Sequence, residues 1–351
     1  MTGRWWTEAE MRKRRAALDV RIAVRRAVRS FFEAQGFEEV ETPALQVSPG
    51  LEPHLAAFRT EMLRPGRADA APQIFYLHTS PEFAMKKLLA GGLPKIWQIA
   101  PVFRNAEGGP NHHPEFRMLE WYRAGAGYAD LMDDTVVLVR DAARKAGATA
   151  MRHRGLTSDP FADWQRISVE DAFSTYAGID LRPTFANAPH EPSPDKLRTE
   201  ATRIGIPTAD DDRFDDIFFK IFLEKIEPRL GHPAPTILTD YPVSMAALAR
   251  PKPDDTLLAE RFEVYVCGLE LANAFGELTD AAEQRRRFEA DMELKQRLYG
   301  ERYPVDEDFI EAVGNMPDAA GIALGIDRLV MLLAGVDDIE QTLWAPVAWR
   351  G

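Results

Sequence analysis

A loop rich in Gly, Pro, Asn and His joins two apolar stretches, and several side chains around it are of types that bind anions. The first stretch ends at Phe103 and the second begins at Phe116, which predicts two antiparallel strands joined by a polar loop. Side chains alternate along a strand, so Phe116, Glu120 and Tyr122 should line one face with a ring, a carboxylate and a phenol. Arg104 stands where the first strand enters the loop, and its planar guanidinium suits bidentate capture of a phosphate or a carboxylate. An ordinary hairpin with a solvated tip is the alternative interpretation.

Two carboxylates, Glu263 and Glu270, lie seven residues apart in another apolar stretch. In one regular strand this spacing puts them on opposite faces. A two-residue turn at Cys267 and Gly268 would instead pair residue 263 with 272 and residue 265 with 270, which brings both carboxylates onto one face. Two acids on one surface indicate a cation, and magnesium is favoured because it is commonly held by one or two carboxylates plus substrate phosphates. A solvated hairpin face is the alternative.

Two predicted helix starts also carry chemically useful side chains. Ser80 as N-cap, Pro81 at the first helical position and Glu82 in the first turn are all typical of a helix start, so no function is needed to explain them. A later helix is predicted to be capped by Asp327, which puts Arg328 in its first turn. A cation there opposes the helix dipole, so we expect Arg328 to face an anion rather than to be merely exposed.

One long helix should come first in the chain. Thr7 and Glu10 have capping-box spacing, the helix runs over about residues 7–35, and Gly36 is suited to end it. Residues 1–36 carry a net charge of +5, whereas the whole chain carries −12, so the remainder carries −17. Such an acidic body is a poor general binder of nucleic acid, because phosphate neutralisation needs clustered cations. The basic helix is expected to be a partner site, an oligomer contact or a solvated face.

The composition is that of an ordinary soluble enzyme. The chain has 351 residues, of which 45% are apolar and 28% are charged. Cys267 is the single cysteine, which excludes an internal disulfide and fits a reducing cytoplasm. No apolar run approaches the length of a membrane span and the N-terminus has no signal-peptide core, so we expect a cytoplasmic protein without membrane partners.

The remaining pattern predicts mixed secondary structure. A strand is expected over 74–77, and helices are expected over 128–146 and 215–230. Residues about 150–250 are interpreted as a mostly helical insertion, and residues 1–351 as a single α+β domain.

Three stretches together resemble a known family. Residues 103–122 resemble the second signature motif of class II aminoacyl-tRNA synthetases, most closely that of the lysyl branch. Residues 36–45 resemble the first motif and residues 321–333 the third, so the motifs stand in the family order and span nearly the whole chain. The resemblance implies a catalytic core of antiparallel sheet flanked by helices, a homodimer and the use of ATP.

The resemblance also implies an ATP site. Arg104 would hold the α-phosphate and Arg328 the outer phosphates, which makes these two arginines the catalytic residues. His112 would reach toward the outer phosphates and Phe116 would stack on adenine. The implied ATP contacts are Arg104, Asn105, His112, His113, Phe116, Glu270, Leu271, Gly325 and Arg328.

An amino-acid pocket and a metal site follow from the same resemblance. The glutamates matching Glu263 and Glu270 bind magnesium in lysyl-tRNA synthetases, and the one matching Glu277 takes the side-chain ammonium of lysine. The implied substrate contacts are Ser80, Pro81, Glu82, Glu120, Tyr122, Asn273, Phe275, Glu277 and Ala323.

Three positions depart from the lysyl pattern. Ala106 stands where the family has a glutamate, and Glu107 is expected to substitute for it. Ala274 replaces a glycine in the pocket wall. Ala323 replaces another glycine, as in the stand-alone paralogues of lysyl-tRNA synthetase, the elongation factor P lysine ligases.

The ligase family is the closest match, because only about 35 residues precede the first motif and no anticodon-binding domain is expected. The implied activity is activation of lysine or (R)-β-lysine with ATP, followed by transfer to a lysine side chain of elongation factor P, without strong tRNA binding. A minimal synthetase that charges tRNA is one alternative. A non-catalytic amino-acid sensor, suggested by Ala106 alone, is the other.

Overall fold

A computed structural model describes residues 4–63, 66 and 71–347. The α-helices are α1 Glu8–Ala34, α2 Glu82–Ala90, α3 Tyr128–Ala146, α4 Val169–Ala172, α5 Arg182–Phe185, α6 Pro194–Arg203, α7 Phe214–Ile221, α8 Ala281–Tyr299, α9 Glu307–Asn315 and α10 Ile326–Ala334. The longest helix, α1, has 27 residues and precedes the first strand, and α3 and α8 have 19 residues each.

The strands pair mainly in the antiparallel sense, so the prediction of an α+β fold with an antiparallel sheet and flanking helices is confirmed. They are β1 Glu38–Glu39, β2 Leu45–Gln46, β3 Phe58–Met62, β4 Gln73–Leu77, β5 Lys95–Phe103, β6 Glu115–Ala124, β7 Met151–His153, β8 Leu156–Ser158, β9 Gln165–Ser168, β10 Thr236–Pro242, β11 Leu258–Val266, β12 Leu269–Gly276 and β13 Ala319–Gly325.

The chain divides into two compact units. The first comprises Met1–Ala126, Leu278–Ala319 and Ala323–Gly351, and the second comprises Gly127–Glu277 with Ala320–Ile322. Strand β13 is therefore divided between them. The prediction of one domain with an insertion stays a prediction.

The polar loop of the first unit joins β5 to β6, as predicted. β5 and β6 pair antiparallel, with Gln98 opposite Glu120 and Phe103 opposite Glu115. β1 pairs with β5 in parallel, and β2, β4 and β3 form a separate three-stranded sheet in that order. The pairing of β5 with β6 fixes the positions of both ends of the loop.

Helix α1 begins where its capping residue predicts. The Thr7 hydroxyl accepts the Glu10 backbone N–H at 3.4 Å, and Gly36 follows the helix with a φ of +71°. The expected basic surface lacks two of its cations, however, because Arg14 and Arg21 are buried. Apolar contacts hold this face of α1 in the core, and the two guanidinium groups find their partners there.

The second unit contains a sheet with the order β12-β11-β10-β9, in which only β9 and β10 run parallel. Its helices lie on a large apolar core that includes Val169, Phe173, Leu197, Phe214, Phe218, Ile221, Phe222, Ile226 and Leu230. This core also takes in Leu238 of β10 and Tyr265 of β11, so the helical segment and the sheet share one interior.

Residues 150–250 are less helical than predicted. Most of their helical segments lie between Val169 and Arg229, and a 3-10 turn follows at Val243–Met245, while β7, β8, β9 and β10 occupy the two ends. The helix predicted over 215–230 begins as α7 and continues through a π-helical turn, Phe222–Ile226, and a 3-10 turn, Glu227–Arg229. α3 has the predicted bounds.

Among the helices within the described ranges, none has both the length and the apolar character that crossing a bilayer requires.

Candidate active site

Arg104 lies at the mouth of the β5–β6 loop with donor capacity to spare. Its backbone N–H binds the Pro114 carbonyl at 3.0 Å, which closes the loop, and its guanidinium carbon lies 5.2 Å from the centre of the Phe116 ring. Its ion pair with Glu107 is long, at 3.8 Å. Among the described residues, the buried Nε of Arg104 has no hydrogen-bond partner. The Arg104 guanidinium therefore has an unused donor with which it can bind an anion.

The loop turns sharply at the residue that departs from the family pattern. Ala106 has a φ of +60°, and its N–H binds the Asn105 side-chain oxygen at 2.9 Å. The Asn105 N–H in turn binds the Ala56 carbonyl at 2.8 Å. This left-handed turn brings Glu107 toward Arg104. Glu107 is therefore the acid that lies beside the Arg104 guanidinium in this loop.

His112 and Arg328 meet, although they are 216 residues apart. The Arg328 Nη2 lies 2.9 Å from the His112 Nε2, so the ring must accept this hydrogen bond and carry its own proton on Nδ1. Burial and the positive charge of Arg328 lower the pKa of His112, with a smaller contribution from Arg104 that Glu107 opposes. At neutral pH the ring is thus neutral and lies beside the Arg328 guanidinium.

His113 differs from its neighbour. It is buried, its Nδ1 lies 2.5 Å from the Glu115 carbonyl, and its Nε2 accepts the Val347 N–H at 3.2 Å. Both ring nitrogens are thus occupied by backbone groups, so His113 supports the loop. Its role as an ATP contact stays a prediction.

The helix after β13 is not capped as predicted. Gly325 is the N-cap of α10, and Asp327 lies within the first turn beside Arg328. The Asp327 carboxylate binds the Arg21 guanidinium through one oxygen and the Arg117 backbone N–H, at 2.7 Å, through the other. Asp327 is therefore a buried joint between α1, β6 and α10, a role that its local sequence context did not indicate.

The predicted amino-acid pocket of the first unit is built around Glu120. One of its carboxylate oxygens accepts the Ser80 hydroxyl at 2.5 Å and the other accepts the Tyr122 hydroxyl at 2.9 Å. Burial and then the negative charge of Glu82 raise the pKa of Glu120 to about 8. The resting site thus holds a carboxyl group that keeps its proton near neutral pH.

Glu82 is paired within its own helix. Lys86, one turn further along α2, binds the Glu82 carboxylate at 2.5 Å, and both residues are buried. Helix α2 begins one residue later than predicted, with Pro81 as N-cap, but Ser80 still accepts the Glu82 N–H at 3.0 Å. One hydroxyl thereby links the helix start to Glu120.

In the second unit, the turn at Cys267 and Gly268 is confirmed, with φ values of +53° and +69°. Tyr265 pairs with Glu270 as predicted, but residue 263 pairs with Asn273 and not with 272. The reason is a β-bulge at Leu271. Tyr265 pairs with Glu270 and Val264 pairs with Ala272, so Leu271 has no residue opposite it on β11. Glu263 and Glu270 still share a face, as predicted.

The bulge also decides which side Asn273 and Phe275 occupy. In a regular strand they would lie on the face opposite Glu270, because side chains alternate. With the extra residue, Asn273 stands opposite Glu263 and Phe275 opposite Arg261, so all of these side chains share one face. The residues with predicted metal and substrate roles are therefore gathered on one surface of the hairpin. Glu277 follows directly after β12 and is buried, as is Leu271 within the strand.

Arg261 connects several side chains on this surface, and a role for it in the site was not predicted from the sequence. Its guanidinium donates to Glu263 Oε1 at 2.6 Å and, through Nε, to Asn273 Oδ1 at 3.2 Å, and it lies 4.3 Å from the centre of the Tyr241 ring. The remaining Glu263 oxygen accepts hydroxyls from Tyr241 and Tyr265. Burial and then Glu263 raise the pKa of both phenols well above the usual value. The period-2 position of Arg261 relative to Glu263 was the only sequence signal.

The pair of carboxylates fits a magnesium ion, with Glu270 as the more accessible partner. A carboxylate has about four lone-pair sites, and three donors leave Glu263 about one. Glu270 is partly exposed on the same face. No cluster of three or more potential metal ligands occurs in the ranges that the structure describes. A magnesium ion held by these two carboxylates stays a prediction.

Ala323 and Gly325 belong to the part of β13 that is counted with the first unit. A Cβ on Gly325 would lie 3.6 Å from the Arg328 side chain, an ordinary contact. The glycine therefore does not serve to make room for Arg328, and close approach of a ligand stays a prediction.

The chain matches the family model of class II tRNA synthetases (D, K and N) over residues 4–348. The protein therefore belongs to the class II tRNA synthetase family. Within it, the chain is similar to proteins named elongation factor P–(R)-β-lysine ligase. It is 38% identical to the one from Vibrio atlanticus, over 94% of this chain and 95% of that protein. The corresponding values are 37%, 97% and 98% for Vibrio campbellii, and 36%, 93% and 94% for Yersinia enterocolitica.

Proposed function

We infer that this protein is an ATP-dependent ligase that activates (R)-β-lysine and transfers it to a lysine side chain of elongation factor P. The observation that carries the inference is the similarity, along nearly the whole chain, to relatives whose names state this activity. The contact between Arg328 and His112, and the unused donor of Arg104 among the described residues, support it, because guanidinium groups of this kind suit phosphate binding.

Two steps account for the reaction. The substrate carboxylate attacks the α-phosphorus of ATP, which forms an aminoacyl-adenylate and releases pyrophosphate. The amine of the acceptor lysine then attacks the carbonyl carbon, an amide bond forms, and AMP leaves while the amine loses a proton. No side-chain nucleophile is needed. Catalysis is mainly positioning and charge stabilisation, which we assign to Arg104 at the α-phosphate and Arg328 at the outer phosphates.

The side chains around Arg104 and Arg328 determine how the two guanidinium groups can bind phosphate. Arg104 has a buried N–H without a partner among the described residues, so phosphate binding would satisfy it. The neutral His112 ring accepts a hydrogen bond from Arg328 and so fixes the direction of that guanidinium. Phe116 lies against Arg104 and offers a flat apolar face to an adenine ring.

Magnesium would be held by Glu270 and by the remaining acceptor position of Glu263, and when bound it would neutralise charge on the ATP phosphates. We further propose that the protein acts in the cytoplasm and as a homodimer.

The test is the intact mass of elongation factor P after incubation with the protein, ATP, magnesium and either (R)-β-lysine or α-lysine, alongside a tRNA-charging reaction. We expect one added lysyl mass on the factor, larger in yield with (R)-β-lysine, and none with an Arg328→Ala variant. Charged tRNA with an unmodified factor would support the minimal synthetase instead. If the wild-type protein shows no ATP–pyrophosphate exchange with any lysine isomer, the result would support the non-catalytic sensor.

A further inference from the structure

Strand β10 has an irregular register next to the carboxylates of the second unit. The register shifts by one residue between Thr239, which pairs with Phe262, and Tyr241, which pairs with Ala259. Asp240 is the residue between them, and its φ of +64° lies in the left-handed region, which is unfavourable for most residues with a side chain. The break in β10 is therefore located at Asp240.

This break decides which side chain of β10 reaches Glu263. Leu238 pairs with Glu263, so these two side chains share a face of the sheet. In a regular strand, alternation would put Asp240 on that same face and Tyr241 on the other. The Tyr241 hydroxyl nevertheless donates to Glu263 Oε2 at 2.6 Å. The left-handed residue thus brings a phenol, in place of an acid, to Glu263.

Three groups of the same unit hold the Asp240 carboxylate. Its Oδ1 accepts the Tyr128 hydroxyl at 2.8 Å and lies 3.1 Å from the Lys252 Nζ. Its Oδ2 accepts the Thr239 hydroxyl at 3.3 Å. The side chains of Asp240 and Lys252 are each 17% exposed, so this ion pair is largely shielded from water. These contacts maintain a backbone conformation that costs free energy by itself.

The Tyr241 hydroxyl limits how Glu263 can bind a cation. Tyr265 donates to the same Oε2, so two phenols fill both lone pairs of that oxygen. Arg261 donates to Oε1 at 2.6 Å and leaves one lone pair there. Oε1 is therefore the Glu263 atom that can accept a magnesium ion.

We propose that Asp240 is a positioning residue for the magnesium site. Its left-handed backbone places Tyr241 on Glu263 Oε2, so that magnesium binds at Oε1, and Tyr128 and Lys252 maintain that conformation. The proposal rests on the function proposed above and concerns residues that the resemblance does not assign. It requires that the backbone conformation at position 240, rather than the Asp240 charge, determines the affinity for magnesium.

The experiment compares variants at position 240 by calorimetric titration with α,β-methylene-ATP, in excess MgCl2 and in EDTA. The ratio of the two affinities measures the contribution of magnesium without turnover. We expect Asp240→Ala to lower this ratio at least about fivefold, because alanine disfavours the left-handed conformation. The affinity in EDTA should change less than about twofold.

Asp240→Gly and Asp240→Asn distinguish the backbone from the charge. Glycine enters the left-handed region without strain, and asparagine tolerates it and keeps an oxygen that can accept the Tyr128 hydroxyl. Both ratios should therefore lie within about twofold of the wild-type value. A glycine variant with a ratio as low as that of Asp240→Ala would overturn the proposal, and so would an unchanged ratio for Asp240→Ala.

Arg154→Ala is the matched control. Arg154 has a φ of +46° in the turn between β7 and β8, which form a separate two-stranded sheet, and its side chain is exposed. The substitution therefore puts alanine into the same left-handed region without a change in the sheet that carries Glu263. The ratio for this variant should equal that of the wild type.

A double-mutant cycle without nucleotide or metal provides a second readout. Tyr241→Phe should change the unfolding equilibrium constant at least about threefold more in the wild type than in Asp240→Ala, because the hydrogen bond to Glu263 is already lost in that variant. Additive changes would overturn the proposal. Should Asp240→Ala not fold, Tyr128→Phe replaces it in both measurements, since it removes a hydrogen bond to Oδ1, and the ratio should then fall at least about twofold.

Equal affinities of the wild type in MgCl2 and in EDTA would contradict the magnesium site of the proposed function. The double-mutant cycle would still decide whether Asp240 places Tyr241 on Glu263, so the two failures are distinguishable.

Discussion

At the scale of single residues, the predicted site side chains depend on partners that no motif contains. Arg261 is the clearest case, since it binds Glu263 and Asn273 and lies against Tyr241. A charged residue within a strand is normally interpreted as solvent-exposed, and only the strand pairing showed that the Arg261 side chain lies on the face of Glu263 and Asn273.

Replacing Arg261 by methionine should lower the free energy of unfolding by about 3–5 kcal/mol, because Glu263 would stay buried without its charged partner. Urea unfolding measures the change. Arg166→Met is the control, since Arg166 pairs with Asp133 on the surface and should change stability by less than about 1 kcal/mol. Equal effects for the two variants would contradict a buried role for Arg261.

Glu120 should make stability depend on pH. Its pKa is about 8 in the folded protein and near 4.5 in the unfolded chain, so between these values the folded state binds a proton that the unfolded state has lost. The contribution of this group to stability is therefore complete below about pH 4.5 and is lost as the pH rises toward 8.

Urea unfolding at pH 5 and pH 8 tests this. The free energy of unfolding should fall more between the two values in the wild type than in Glu120→Gln, while the exposed control Glu61→Gln should keep the wild-type difference. A Glu120→Gln variant with the full wild-type difference would show that the carboxyl group titrates normally.

At the scale of secondary-structure elements, two irregular features place the site. The bulge at Leu271 moves Asn273 and Phe275 onto the face of Glu270. The Asp327 joint connects α1 to the strand that bears Phe116 and the helix that bears Arg328. The motifs were recognisable in sequence, but the bulge and the joint depend on contacts between distant segments.

A double-mutant cycle tests the joint between α1 and α10. Arg21→Met and Asp327→Asn should each lower the free energy of unfolding by about 3–5 kcal/mol, and the double variant should lose clearly less than the sum. We also expect the KM for ATP to rise, since Arg328 follows Asp327 directly.

The exposed pair Arg29 and Glu39, which also begins on α1, provides the control cycle. Its coupling should stay below about 1 kcal/mol, because both side chains are near half exposed. Additive losses for Arg21 and Asp327 would show that the two charges do not act as a pair.

At the scale of the whole molecule, the charge distribution bears on association. The N-terminal segment is basic and the rest of the chain is acidic, but Arg14 and Arg21 are turned into the core. The cations left on the surface of α1 are fewer than the sequence suggests, which argues against a strong polyanion site on this helix.

Sedimentation equilibrium at micromolar concentration should give twice the chain mass of 39.5 kDa, as the family resemblance implies. A stable monomer would rule out the homodimer. Raising the salt concentration serves as the control, since a dimer held mainly by surface charge would dissociate and one held by apolar contacts would not.

The sequence alone determined the features that depend on local pattern. These are the capped helix at Thr7, the β5–β6 hairpin, the turn at Cys267 and Gly268, and the motifs that carry Arg104 and Arg328. Each is set by residues close together in the chain, where propensity and alternation act directly.

Only the tertiary structure decided which groups meet. The contact of His112 with Arg328 and the pairing of Arg21 with Asp327 each involve segments far apart in sequence. Burial changes what such groups do, because a charge removed from water needs a partner that the local sequence cannot name. For the same reason the protonation of Glu120 follows from the fold and not from its motif.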